Sequence, residues 1–225
     1  MHDAGSKDRS NRIALPPAPG LEVESSELVW NGRFPLQLVR FRHRRFDGGM
    51  TGTRTWELWR RGSAAALLPY DPIADVVVLI EQFRLPAAAA GFAPVMVEIA
   101  AGLCDAGESP EETVRREAVE EMGIAPGALV RMGNFLLSPG GCDEHVTIFA
   151  GDVRLDDIPA GGILGHGGLS DEDEDIRVRA VPAQEAIDQA VSGGYPNVVT
   201  TLALLWLAAR RDKLRMEWGA RLDHP

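Results

Sequence analysis

The sequence is short of the features that would take it out of the ordinary globular class. Cysteine occurs only as Cys104 and Cys142, too few for a disulfide framework, and two unpaired thiols suit a reducing compartment such as the cytoplasm. No run approaches the roughly 18 apolar residues of a membrane-spanning helix. Residues 1–20 have no apolar h-region, so they do not read as a signal peptide. Basic tracts are missing too. Lys and Arg number 23 against 33 Asp and Glu, a formal net charge of −10, which argues against nucleic acid as a partner. An acidic protein can still bind small phosphates where metal ions supply the positive charge. No internal repeat is visible.

What is present is enough for a core. Hydrophobic residues make up 45% of 225 positions, which suits one large domain or one domain with an appendage. Residues 1–20 are polar and end in Pro16-Pro17-Ala18-Pro19-Gly20, a tail. Residues 21–62 read as a small antiparallel β domain. Strand patterning begins at Leu28, Leu36–Phe46 and Thr53–Arg61 alternate apolar with polar, and Asp47-Gly48-Gly49 turns between them. Trp30, Phe34, Trp56 and Trp59 are many aromatics for so small a sheet. They pack either on the chain's own core or on a second subunit.

Residues 63–215 read as the main domain and 216–225 as a short tail. Ala64–Pro69 and Val76–Gln82 are continuous apolar runs, the mark of buried strands, with a turn at Tyr70-Asp71-Pro72. Ala87–Ala90 reads as a loop, and Val95–Ala100 as a strand running into Gly102. Further strands are expected at Leu129–Leu137, His145–Val153 and Ile176–Val181, and helices at Ala183–Val191 and Val198–Arg215. Residues 156–168 form a Gly-rich connection, long for a compact domain. The expected fold class is α/β, an α/β/α sandwich with a mixed sheet.

The chain is organised around Gly102–Ile124. Ser109 is a helix N-cap, Pro110 suits the first helical position, and Glu112 completes a capping box. Gly123 is a natural stop, so a helix is expected over Pro110–Met122. Val114, Ala118 and Met122 give it an apolar stripe. Glu117, Glu120 and Glu121 fall on one flank, where like charges repel. Two readings fit these acids: an exposed acidic face loosely paired with Arg, or a cradle for a hard divalent cation.

The spacing of Gly102, Glu108 and Arg116-Glu117-Ala118-Val119-Glu120-Glu121-Met122-Gly123-Ile124 resembles the Nudix box at every fixed position. Nudix proteins hydrolyse a diphosphate linked to another moiety, using Mg²⁺ or Mn²⁺. The resemblance implies two or three such ions, with Glu117 and Glu121 as ligands and Glu120 as an additional or outer one. The backbone carbonyl of Ala101 is expected to face the metal, with Gly102 keeping side chains out of its way. Arg116 would orient a box carboxylate, and Glu108 would hold the loop. His43, His145 and His166 match nothing in an oxygen-ligand site.

From about Leu36 to Leu214 the chain is similar to bacterial ADP-ribose pyrophosphatases. Val78–Arg84, Leu137–Gly141 and Glu174–Val178 carry the likeness. It implies that the acidic run Asp171–Asp175 lies on a lid hinged by glycines 161, 162, 165, 167 and 168. Glu172 on that lid would be the catalytic base and Glu174 a metal ligand, with Asp173 the base if the register slips by one. It further implies that Arg84 contacts substrate, that Glu57 contacts adenine, and that Ser138 and Glu144 line the site. Phe34 lies near a stacking position of those enzymes. Trp56 stands where relatives often carry Arg, and its indole could stack on a purine. The N-terminal β domain would be exchanged between the subunits of a homodimer. The implied reaction splits ADP-ribose into AMP and ribose 5-phosphate. GDP-mannose hydrolysis is the nearer rival, and a non-catalytic nucleotide-binding module the more distant one.

Overall fold

The computed structural model describes residues 14–168 and 174–220. The chain divides into two compact units. Among the described residues, one holds 14–62 together with Leu136–His145; the other holds Ser63–Phe135, 146–168 and 174–220.

The first unit is a three-stranded antiparallel meander of β1 (Leu21–Trp30), β2 (Leu36–His43) and β3 (Arg54–Trp59). The register pairs Trp30 with Leu36, Leu36 with Trp59 and Val39 with Trp56. Side chains alternate between the faces of a strand. Trp30, Leu36, Glu57 and Trp59 therefore share one face, and Val39, Phe41, Trp56 and Leu58 share the other. The first strand begins seven residues before the expected start at Leu28, because Leu21 and Val23 pair with His43 and Phe41 across the ladder. The 136–145 segment is tied to this sheet by Trp59 N–H on the Gly141 carbonyl at 2.8 Å and Trp56 Nε1–H on the Gly140 carbonyl at 2.7 Å.

The second unit is the expected α/β/α sandwich with a mixed sheet. Its strands are β4 (Ser63–Asp71), β5 (Val76–Phe83), β6 (Val95–Glu98), β7 (Ala100–Leu103), β8 (Leu129–Leu136), β9 (His145–Asp152), β10 (Ile163–Gly167) and β11 (Ile176–Pro182). The spatial order is β10-β11-β5-β4-β9-β8. β4 and β5 pair only beside their turn, at Tyr70–Val77 and Asp71–Val76, and then diverge. β6 fills the gap against β5, and β7 fills it against β4. One expected strand over Val95–Ala100 is thus two, broken at Ile99 where the chain changes partner.

Helix α2 (Pro110–Met122) covers one face of the sheet, and α3 (Ala183–Val191) and α4 (Val198–Gly219) cover the other. Val114, Ala118 and Met122 pack on Ala65, Leu67, Val78, Ile80 and Phe149 on the α2 side. Leu68, Tyr70, Leu79 and Ile148 pack on Ala186, Leu204, Leu207 and Trp218 on the other. The turn between β4 and β5 begins at Pro72, two residues later than expected, with Asp75 in the left-handed region at φ 58°. Asp tolerates that conformation better than most residues.

Two expected loops carry structure. Leu85–Ala89 is a short helix, α1. The Gly-rich connection contains β10, paired with β11. Gly162, Gly167 and Gly168 serve close approach, whereas a Cβ on Gly161 or Gly165 would meet open space. Gly168 N–H donates to the Glu120 carbonyl at 3.0 Å, and a Cβ on Gly167 would overlap the Glu121 carbonyl oxygen.

Candidate active site

Helix α2 forms as its local chemistry dictates. Ser109 Oγ accepts from Glu112 N–H, Glu112 Oε2 accepts from Ser109 N–H at 2.8 Å, and Gly123 closes the helix at φ 67°. The helix carries Glu117 and Glu121 toward β7. Glu121 is 4% exposed, and its Oε2 accepts from Ala101 N–H at 3.1 Å. Burial, with the neighbouring Glu117 charge, pushes its carboxyl pKa up to about 8. Burial raises that of Glu117 as well. Gly102 is required for more than access to a carbonyl: a Cβ there would overlap the Glu117 carboxylate outright.

Arg116 is the hub of the acidic cluster. Its Nε and Nη2 donate to the two oxygens of Glu108 at 3.0 Å each, and Nη1 donates to Glu117 at 2.8 Å and to Glu120 at 2.9 Å. Arg116 holds the Glu108 carboxyl down to about 2, helped by Asp105 N–H and the Thr113 hydroxyl. Glu120 is consequently tied to Arg116, whereas Glu121 faces the sheet.

Glu174 lies on the same side of the sheet, accepting from Gln82 Nε2 at 3.2 Å, and its charge raises the pKa values of both Glu117 and Glu121. Arg84 acts on Glu121 in the opposite sense and is paired with Glu98. Asp171, Glu172 and Asp173 lie outside the described residues. Among the described residues no group of three acidic, His or Cys side chains is gathered as a ready metal cage. Glu117, Glu121 and Glu174 repel one another, and two of the three are engaged by Arg116 and Ala101. The donor set nonetheless fits a hard divalent cation. It is all oxygen, Glu121 is buried and Glu117 partly so, and the one nearby arginine on the helix is shared among three acids.

The remaining expected substrate residues belong to the first unit. Phe34 and Glu57 share a cleft of about 670 Å³ with Trp30, Arg33, Leu36, Trp59 and Gly141. Phe34 meets Trp59 edge-on at 6.1 Å, and the Arg61 guanidinium lies 4.0 Å from the centre of the Phe34 ring. Glu144 is held by Arg61 through two hydrogen bonds at 3.0 and 3.1 Å. Ser138 shapes its turn through its carbonyl, which accepts from Gly141 and Cys142 N–H. Trp56 is not in this cleft. It lines a second, apolar cavity of about 290 Å³ with Leu21, Val39, Phe41 and Leu58. Sequence reasoning singled out Trp56 and passed over Trp59. The alternation of β3 was the available signal, since Glu57 and Trp59 are two apart and share a face.

A NUDIX domain model matches residues 60–200. The chain belongs to the Nudix family. This Nudix chain is 41% identical over 199 residues to the ADP-ribose pyrophosphatase of Escherichia coli K12, covering 88% of this chain and 93% of that protein. The ADP-ribose pyrophosphatase of Haemophilus influenzae is 35% identical over 201 residues, covering 88% and 90%. A GDP-mannose pyrophosphatase of Pectobacterium atrosepticum is 33% identical over 187 residues, covering 82% and 92%. A crystal structure of an ADP compounds hydrolase superposes with a TM-score of 0.62 at 20% identity, over 90% of this chain and 98% of that one. It bears on the fold alone.

Proposed function

We propose that this Nudix protein is a divalent-metal-dependent hydrolase that splits ADP-ribose into AMP and ribose 5-phosphate. The observation that carries the reading is the pairing of buried Glu121 with partly buried Glu117 behind Gly102, with the Glu121 carboxyl pushed up to about 8. Burying carboxylates without a matching cation costs free energy that helix stability does not call for. Two relatives of similar length named ADP-ribose pyrophosphatase, at 41% and 35% identity, direct the substrate.

In this reading Glu117, Glu121, Glu174 and the Ala101 carbonyl hold Mg²⁺ or Mn²⁺, two or three ions per site. Bound there, the metal supplies positive charge to the diphosphate oxygens and acidity to a water. Arg116 keeps Glu117 oriented and Glu120 out of the way, through hydrogen bonds it already makes. Arg84 contacts the substrate's negative oxygens. Glu172 takes the proton of the attacking water as the P–O bond of the phosphoanhydride breaks. Phe34, Trp59 and Trp30 offer stacking area to a purine and Glu57 an acceptor for its exocyclic amine, with Ser138 and Glu144 bounding the cleft.

The first unit exposes Trp30 at 65% together with Val23, Val29, Trp56 and Trp59. That apolar surface supports a homodimer with exchanged N-terminal domains, and light scattering that finds a monomer at micromolar concentration would refute it. Two free cysteines fit residence in the cytoplasm, and among the described residues no helix is long and apolar enough to cross a membrane.

The test is incubation with ADP-ribose, GDP-mannose and NADH, each with Mg²⁺, and identification of products. Faster turnover of ADP-ribose, yielding AMP and ribose 5-phosphate, supports the reading. The 33% identity to a GDP-mannose pyrophosphatase makes that sugar nucleotide the second candidate, and its preferential turnover would displace ADP-ribose.

A further inference from the structure

Arg84 is engaged by a neighbour before any substrate arrives, and the way it is engaged is informative. Glu98 Oε2 accepts from Arg84 Nε at 2.9 Å and forms an ion pair with Nη2 at 2.8 Å. Glu98 Oε1 accepts from Asn197 Nδ2 at 2.7 Å. Asn197 is itself fixed, because it caps α4 by accepting from Thr200 N–H at 3.0 Å. The Thr200 hydroxyl, fully buried, accepts in turn from Ile99 N–H at 3.1 Å, next to Glu98 on the chain. The carboxylate is thus locked between β6 and the first turn of α4. Its side chain is 9% exposed, whereas that of Arg84 is 38% exposed.

Stability does not call for this arrangement. A pair with one half-exposed partner contributes little, and burying the carboxylate is costly. What the pair does is fix the plane of the guanidinium. It uses the Nε and Nη2 edge and leaves Nη1, which has no hydrogen-bond partner among the described residues, for an incoming anion. Pairing with Glu98 and binding a diphosphate are therefore compatible, and the first prepares the second.

We propose that Glu98, anchored by Asn197, is the positioning residue for Arg84, setting the guanidinium so that Nη1 meets the negative oxygens of the diphosphate. This rests on the proposed function above. The test is a double-mutant cycle of Glu98→Gln and Arg84→Lys, with Asn197→Ser beside it, measuring KM and kcat for ADP-ribose and Tm for every variant. Glu98→Gln should raise KM about tenfold with kcat nearly unchanged, the size expected for one misaligned charge-assisted hydrogen bond. The double variant should be no worse than Arg84→Lys alone, since Glu98 acts only through Arg84. Asn197→Ser keeps a hydroxyl cap for Thr200 N–H but loses the donor to Glu98, so KM should rise while Tm holds.

Losses that multiply in the double variant, or a Tm drop in Glu98→Gln with KM unmoved, would overturn the proposal. The same cycle read as affinity for inorganic pyrophosphate separates the two readings. Inertness of the wild type toward ADP-ribose sinks only the substrate assignment. Additive effects on pyrophosphate affinity sink the positioning role.

Discussion

Glu121 is a carboxylate whose surroundings favour its neutral form. A folded-state pKa of about 8, above the ordinary carboxylate value, means the metal-free folded protein holds a proton that the unfolded chain has released. Metal-free protein should therefore lose stability as pH rises from about 5 to 8, by at most about 1.4 kcal/mol per pH unit. Thermal melts in EDTA across that range should show the slope, and Glu121→Gln should flatten it. A flat wild-type profile would mean that the carboxyl is not buried as described. Metal binding should tighten with pH over the same window, since the proton must leave first.

Gly102 gives a second prediction at this scale. Gly102→Ala should displace the Glu117 carboxylate and cut kcat about a hundredfold or more, as an ångström-scale misplacement of a site group does. Near-wild-type kcat in that variant would contradict the packing of Glu117 on Gly102. The glycine itself was legible as a fixed position, but the side chain that demands it was not, because Glu117 lies fifteen residues on and reaches Gly102 only through the fold.

Among elements, α2 was the most legible. Its start and stop are set by neighbours in sequence, Ser109, Pro110, Glu112 and Gly123, and the structure places them as local chemistry demands. β6, β7 and β10 were not legible, for a physical reason. The run Val95–Leu103 is continuous, and its break at Ile99 exists only because β4 and β5 diverge and each takes half of it. β10 is too Gly-rich to signal a strand, and it forms because β11 offers a partner and α2 tolerates nothing larger than glycine beside it.

The β4–β5 turn has its own prediction. Asp75 is hydrogen-bonded by Tyr70 Oη and pairs with Arg211 and Arg215 of α4. Arg211 chiefly holds its carboxyl below the usual carboxylate range. A depressed folded-state pKa gives stability that is present above about pH 4 and lost as pH falls through the folded value. Asp75→Asn, which suits the left-handed φ, should cost about 2 kcal/mol near neutrality and progressively less below pH 4. Denaturant melts at pH 7 and pH 3 measure both. Equal losses at the two pH values would assign the effect to packing instead.

For the molecule as a whole, the fold class and the family were readable because the box fixes many positions within one short stretch. The cleft of the first unit that holds Phe34 and Glu57 was readable only in part. The strand alternation that parts Trp59 from Trp56 was present in the sequence, yet the Arg61 guanidinium over Phe34 and its bond to Glu144 depend on Leu136–His145 joining that sheet. Arg61→Met should therefore raise KM for ADP-ribose several-fold and leave kcat nearly unchanged, whereas an unchanged KM would detach this cleft from substrate binding.

The central claim is that the carboxylates of α2 serve a divalent cation used to cleave a phosphoanhydride. ³¹P NMR of ADP-ribose incubated with the protein tests it most directly. With Mg²⁺ the diphosphate signals should give way to the two monophosphate resonances of AMP and ribose 5-phosphate, and EDTA or Glu121→Gln should leave the diphosphate intact. Cleavage that persists unchanged under either condition would contradict the account.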